Sequence, residues 1–127
     1  MIVENHIQKD EFAKLIGIEI LEAYNGYAKM RMPITKNHLN GLGSVQGGAL
    51  FTLADYTMGA ASNSMGGECV TLNAQIDYFR GKSEGVLISI AKPVKQGKTI
   101  ILYDVEVRME DTDQLIAVFR GTAFRKR

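Results

Sequence analysis

Residues 49 to 64, ALFTLADYTMGAASNS, are the only stretch of this 127-residue chain long and apolar enough to form a buried helix. Leu50, Leu53, Ala54, Thr57, Met58 and Ala61 recur there at steps of three and four, which marks the stripe that packs. The rest of the chain reads mostly with a period of two. Ala28, Met30, Met32 and Ile34 alternate with Tyr27, Lys29, Arg31 and Pro33, and a Tyr24-Asn25-Gly26 turn closes a hairpin with the strand before. Val70, Leu72, Ala74, Ile76 and Tyr78 alternate with Cys69, Thr71, Asn73, Gln75 and Asp77 up to Gly81, predicting a strand with the first set on its buried face. Residues 86 to 94, 99 to 109 and 115 to 124 repeat the strand pattern, joined by the turn segments KQGK and MEDTDQ. About six strands cannot bury an apolar face without a second layer, and one helix is all the chain offers, so the sheet must wrap that helix. Residues 8 to 16 add a short amphipathic helix behind Asp10 as a cap, with Phe12, Leu15 and Ile16 as its apolar side. The class is α+β, and with no repeat, linker or composition break the whole of 1–127 reads as one domain.

Composition narrows the functions. With 46% hydrophobic and 23% charged residues the chain can build a sizeable core. Fifteen Lys and Arg against fourteen Asp and Glu leave a formal charge of +1, so no broad field exists to hold nucleic acid or an acidic membrane, and any anion site is local. Cys69 is the single cysteine, which excludes an internal disulfide and reads as a packing thiol. A metal site would rest on His6, His38 and scattered carboxylates; none is expected, and His38 reads as a surface histidine of a loop. No stretch is long enough to span a bilayer, and MIVENHIQKDEF lacks the pattern of a secretion signal, so a cytoplasmic protein is expected.

One carboxylate, Asp55, stands inside the apolar helix, off the centre of its packing stripe. Burial would raise its pKa and hydrogen bonds to the ionised form would lower it, so its setting is unusual either way. Just before the helix, Gln46-Gly47-Gly48 leaves N–H groups of the first turn without internal partners, and the absent side chains let a ligand come close. That is a cradle for a developing oxyanion, where one donor is worth roughly 3 kcal/mol of barrier. Eight residues of helix separate Gly47 from Asp55, about 12 Å, too far to share a reacting atom. Two antiparallel copies of the helix across a two-fold axis would bring the Asp of one subunit to the glycine turn of the other.

The stretch HLNGLGSVQGGALFTLADYTMGAA, with LNAQIDYFRG, VKQGKTIILYDVEV and AVFRGTAF after it, resembles hotdog-fold acyl-CoA thioesterases of the phenylacetate-degradation type. The resemblance implies an antiparallel sheet of five to six strands wrapped around one long helix. It also implies homodimers with sheets joined edge to edge, tetramers made of two dimers, and hydrolysis of an acyl-CoA with no cofactor beyond that substrate. Asp55 would then be the nucleophile or general base, the Gly47 N–H would polarise the thioester carbonyl, and Asn40 and Thr71 would place the thioester or water. Gln46, Gly48, Phe51 and Met58 fall where substrate would lie, with a medium-chain or aromatic acyl group as the class, and Arg80, Lys82 and Lys98 are candidates for the CoA phosphates. Arg125-Lys126-Arg127 reads as a frayed basic tail. The family pattern has His where this chain has Gln46, an amide that donates but does not titrate near neutral pH, so no imidazole inflection near pH 6 to 7 is expected in the rate. The alternative classes are a non-catalytic acyl-CoA binding or sensing module, and a hydratase or dehydratase, for which the glycine turn lacks the His.

Overall fold

The computed structural model describes residues 5–126. Residues 1–4, part of the start read as unlike a secretion signal, and Arg127, the last residue of the basic tail, lie outside the described residues. Two short helices, α1 (Asn5–Gln8) and α2 (Glu11–Leu15), come before two strands, β1 (Glu19–Tyr24) and β2 (Tyr27–Pro33). A 3-10 turn at Lys36–His38 leads into α3 (Gly47–Asn63), and β3 (Cys69–Tyr78), β4 (Val86–Gln96), β5 (Ile100–Met109) and β6 (Leu115–Arg125) follow. All pairings are antiparallel, in one sheet of order β1-β2-β4-β5-β6-β3. Asn25 and Gly26 take φ of 48° and 84°, the left-handed pair whose twist matches a two-residue hairpin, and they set Tyr24 opposite Tyr27.

The sheet curls around α3, which packs against every strand. Leu53, Ala54, Thr57, Met58 and Ala61 are fully enclosed and Leu50 nearly so, so the stripe is the one the spacing predicts. Met30, Met32, Leu87, Val105, Val107 and Phe119 meet it from the strands. The hydroxyl of Thr57 satisfies itself inside this core, 2.6 Å from the Leu53 carbonyl and 2.8 Å from Ser89 Oγ. No described helix is long and apolar enough to cross a membrane.

Two readings of faces need correction. On β3 the register runs Thr71 opposite Ala123 and then Asn73 opposite Thr122, so Leu72 is an extra residue, a β-bulge. The bulge turns the strand over. Before it Cys69 is buried and Thr71 points to the helix, while Val70 and Leu72 are 42% and 55% exposed; after it Ala74 and Ile76 pack on the core as the alternation predicts. In α2 the cap is as expected, with Asp10 Oδ1 accepting from the Ala13 N–H at 2.9 Å. The buried side, however, is Ala13 with Ile16 partly covered, while Phe12 is 55% and Leu15 79% exposed. A five-residue helix makes little more than one turn, and the small Ala13 lets it sit close on the fold.

Candidate active site

The glycine turn is built by the loop before it. Asn40 Oδ1 accepts from the N–H groups of Leu42 at 2.9 Å and Ser44 at 3.1 Å, and the Asn40 N–H donates to the Ser44 carbonyl at 2.7 Å. The amide carbonyl thus shapes the loop, and Nδ2 has no partner among the described residues. The Val45 N–H donates to the Lys82 carbonyl and the Gln46 N–H to the His38 carbonyl, each at 2.8 Å. His38 is not a surface group: only 4% exposed, it is folded under α2 by the 3-10 turn. Its Nδ1 accepts from the Thr35 N–H at 2.9 Å and its Nε2 stands 2.6 Å from the Ile16 carbonyl, which assigns the proton to Nε2. The imidazole thus ties the end of α2 to the loop that carries the turn.

Gln46 is the exposed N-cap of α3 and makes no side-chain cap bond; its Oε1 lies 3.1 Å from where a Cβ on Gly48 would stand. The Gly47 and Gly48 N–H groups have no hydrogen-bond partner among the described residues and lie at the positive end of a 17-residue helix. Tyr78, at the end of β3, donates its hydroxyl to the Gly47 carbonyl at 2.9 Å, and its ring would stand 3.0 Å from a Cβ at position 47. A side chain at position 47 fits only if the exposed Tyr78 ring gives by a few tenths of an ångström.

Gly48, Thr52, Asp55 and Gly59 share one side of α3, and it is the side that the sheet leaves uncovered. Half-buried, Asp55 accepts the Thr71 hydroxyl on Oδ1 at 2.7 Å, and its other oxygen has no partner among the described residues. The bulge in β3 is what puts Thr71 there. Burial raises the Asp55 pKa, the Thr71 hydrogen bond draws it down, and the negative charge of Asp10 raises it again, with a net rise. Asp10 reaches this region because the Ile7 carbonyl accepts both the Asp10 N–H at 3.3 Å and the Tyr56 hydroxyl at 2.7 Å, which seats α2 on the residue next to Asp55.

The remaining candidates divide. Phe51 is partly exposed and packs edge-on against Phe119 with centroids 5.4 Å apart, whereas Met58 is fully buried behind it. Arg80 and Lys82 follow β3 at the end of the sheet where α3 begins; Lys98 lies in the β4–β5 turn at the end where α3 finishes, so one subunit does not gather the three. Arg125 is ordered rather than frayed. Its N–H donates to the Thr99 carbonyl at 2.7 Å, its chain lies over Gly67, one guanidinium nitrogen donates to the Lys98 carbonyl at 3.3 Å, and Nε and Nη2 are buried without partners. Cys69 is packed, with Sγ 3.7 Å from the Ser62 carbonyl. Among the described residues no group of three or more His, Cys, Asp or Glu stands placed to hold a metal ion. Three positioning groups escaped the sequence reading: Tyr78, His38 and Asp10. Only Tyr78 left a signal, an aromatic at the inward end of a strand beside a glycine turn.

The wrapped sheet recurs among known proteins. The profile of the Thioesterase superfamily matches residues 42–116. The chain is 36% identical over 119 residues to the acyl-coenzyme A thioesterase PaaI of Escherichia coli, covering 93% of this chain and 84% of that one. It is 31% identical over 115 residues to human acyl-coenzyme A thioesterase 13, covering 87% and 82%. The solved structure of the E. coli PaaI protein superposes with a TM-score of 0.91 at 35% identity over 96% of this chain and 88% of that one. A structure described as a hypothetical thioesterase protein with coenzyme A, from Streptococcus pneumoniae, superposes with a TM-score of 0.87 at 27% identity, covering 95% and 94%. With its fold and its sequence in agreement, this chain belongs to the thioesterase superfamily, has the hotdog fold of the phenylacetate-degradation type, and is a thioester hydrolase.

Proposed function

We propose that the protein hydrolyses acyl-CoA, of medium-chain or aromatic acyl class, to free acid and CoA at two equivalent sites of a homodimer, two such dimers pairing as a tetramer. The observation that carries this reading is Asp55: a carboxylate of raised pKa, half-buried, oriented through one oxygen by Thr71 and open at the other. Its counterpart is the unpartnered Gly47 N–H, which one subunit holds about 12 Å from its own Asp55, so the partner's turn completes the site. In the general-base form Asp55 takes a proton from water as the water oxygen bonds to the thioester carbon; the partner subunit's Gly47 N–H stabilises the oxyanion, and the C–S bond then breaks with the proton passing to the CoA sulfur. In the nucleophilic form an Asp55 oxygen bonds to that carbon and the C–S bond breaks with CoA leaving as the thiolate; water then opens the resulting anhydride to the free acid and the Asp55 carboxylate, one of the water's protons passing to the CoA sulfur. Asn40 Nδ2 is free to hold the carbonyl or the water, and Gln46 replaces a titrating group with an amide donor.

Named relatives support the acyl-CoA substrate: two carry acyl-coenzyme A thioesterase in their names, and a structural neighbour was solved with coenzyme A. Arg80, Lys82 and Lys98 are the cations for the CoA phosphates, the last with its carbonyl bonded by Arg125, whose Nε and Nη2 have no partner among the described residues. The cytoplasm is the compartment this substrate implies. Following thiol release from a panel of acyl-CoAs tests the reading: wild type turns over, and Asp55→Ala lowers kcat by about 10²–10⁴. Equal turnover by both proteins removes Asp55 from the mechanism, and tight acyl-CoA binding without thiol release makes the protein a binding module instead.

A further inference from the structure

A cavity of about 420 Å³ opens beside the glycine turn, with Gln46, Gly48 and Thr52 at its floor and Phe12, Ile16 and Leu39 as apolar walls. Its size lies within the range of about 300–1,000 Å³ typical of small-molecule sites. Gly48 and Thr52 belong to the same uncovered side of α3 as Asp55, so the cavity is continuous with the surface on which the reaction is placed. The walls come from α2 and from the loop braced by His38, through the 2.6 Å contact of its Nε2 with the Ile16 carbonyl. Phe12, like the more exposed Leu15 on the same helix, is not accounted for by packing within the subunit, and of the two it is Phe12 that lines this cavity. It is 55% exposed on a helix whose packing is done by Ala13, and it makes no aromatic contact among the described residues. A phenyl ring held half in water over a cavity with apolar walls of Ile16, Leu39 and Ala49 among polar groups such as Asn37 and Gln46, next to unpartnered amides that suit a thioester carbonyl, has the chemistry of a lid for an acyl tail.

We propose that this cavity takes the acyl group of the thioester, and that Phe12 is a specificity-determining residue which rewards acyl chains of about six to eight carbons or one aromatic ring. The inference rests on the thioesterase reading and deepens it. The carbonyl stays at the glycine turn, the chain runs under Phe12 toward Ile16 and Leu39, and the CoA sulfur leaves on the opposite side. An acetyl group is too short to reach the ring. Each added methylene in such a pocket is worth about tenfold or more in kcat/KM, so truncating Phe12 narrows the preference rather than abolishing turnover.

The test measures kcat/KM for acetyl-, hexanoyl-, octanoyl- and phenylacetyl-CoA with wild type, Phe12→Ala and Phe12→Leu, with the mass in solution checked by light scattering. Phe12→Ala is expected to lose about tenfold or more on the three larger substrates and less than about twofold on acetyl-CoA, with Phe12→Leu in between and the mass unchanged. An equal loss on all four substrates, no loss on any, or a change of mass overturns the assignment of Phe12. Wild type that releases no thiol from any of the four overturns the thioesterase reading itself, and the cavity's role falls with it.

Discussion

At the scale of single residues the proposed chemistry depends on one carboxylate whose proton affinity is set by burial and by two neighbours, Thr71 and Asp10. Asp55 works as a base only when ionised, so the rate rises with pH through its pKa. Because burial and Asp10 hold that pKa up, the acid limb of kcat/KM lies above the ordinary carboxylate range. Two substitutions move the limb in opposite directions. Asp10→Asn removes a nearby negative charge, makes the ionised form easier to hold, and shifts the limb to lower pH. Thr71→Val removes the 2.7 Å hydrogen bond that favours the ionised form, shifts the limb to higher pH, and lowers the plateau because the carboxylate is no longer aimed. A pH–rate profile of the three proteins checks both; shifts of one sign, or none, contradict the assignment. The carboxylate itself was legible as an ionisable group in an apolar run. Its modifiers were not, because Asp10 and Thr71 are distant in the chain, and nothing local says that they face it.

At the scale of elements the site is a junction of a strand end, a helix start and a short amphipathic helix. Tyr78 of β3 donates to the Gly47 carbonyl, so Tyr78→Phe frees the turn from the strand. The expected outcome is a loss of about 0.5–1.5 kcal/mol of stability in a denaturant melt, the net worth of one hydrogen bond, with a fall in kcat larger than any rise in KM. An unchanged kcat would leave Tyr78 a structural group only. Periodicity disclosed the elements well: the α3 stripe, the Asn25-Gly26 hairpin and the inner face of β2 all stand where the spacing puts them. It failed where the period itself breaks. The bulge at Leu72 has neither Gly nor Pro to mark it, so Val70 and Leu72 read as core although they face outward. In α2, hydrophobicity selected Phe12 and Leu15, while packing selected the smaller Ala13. His38 and Arg125 were misplaced for a related reason, since a polar residue in a loop or tail gives no sign of the backbone carbonyls that will enclose it.

At the scale of the whole molecule, the proposed mechanism gives one subunit the parts of a site but not the site. β3 is an edge strand, and Val70, Leu72, Tyr78 and Phe79 are 42%, 55%, 50% and 57% exposed along or just after it, an apolar border suited to pairing with a second copy. In the proposed dimer, a pairing of that edge would lay two α3 helices side by side in opposite senses, each Asp55 facing the other subunit's glycine turn. The claim can be tested by complementation. Gly47→Pro deletes the amide donor at the first helical position, where backbone geometry tolerates proline, Gln46 already holding φ −64° and ψ 141°, and its Cβ is admitted by a shift of the exposed Tyr78 ring of a few tenths of an ångström. Asp55→Ala deletes the carboxylate. Each variant alone is expected to be inactive. Coexpressed in equal amounts, half of the dimers would be mixed, and each mixed dimer would hold one intact site of two, restoring about a quarter of wild-type thiol release. Coexpressed protein no more active than its two parents, though shown by mass to contain mixed dimers, would mean that Asp55 and Gly47 do not act across the two subunits.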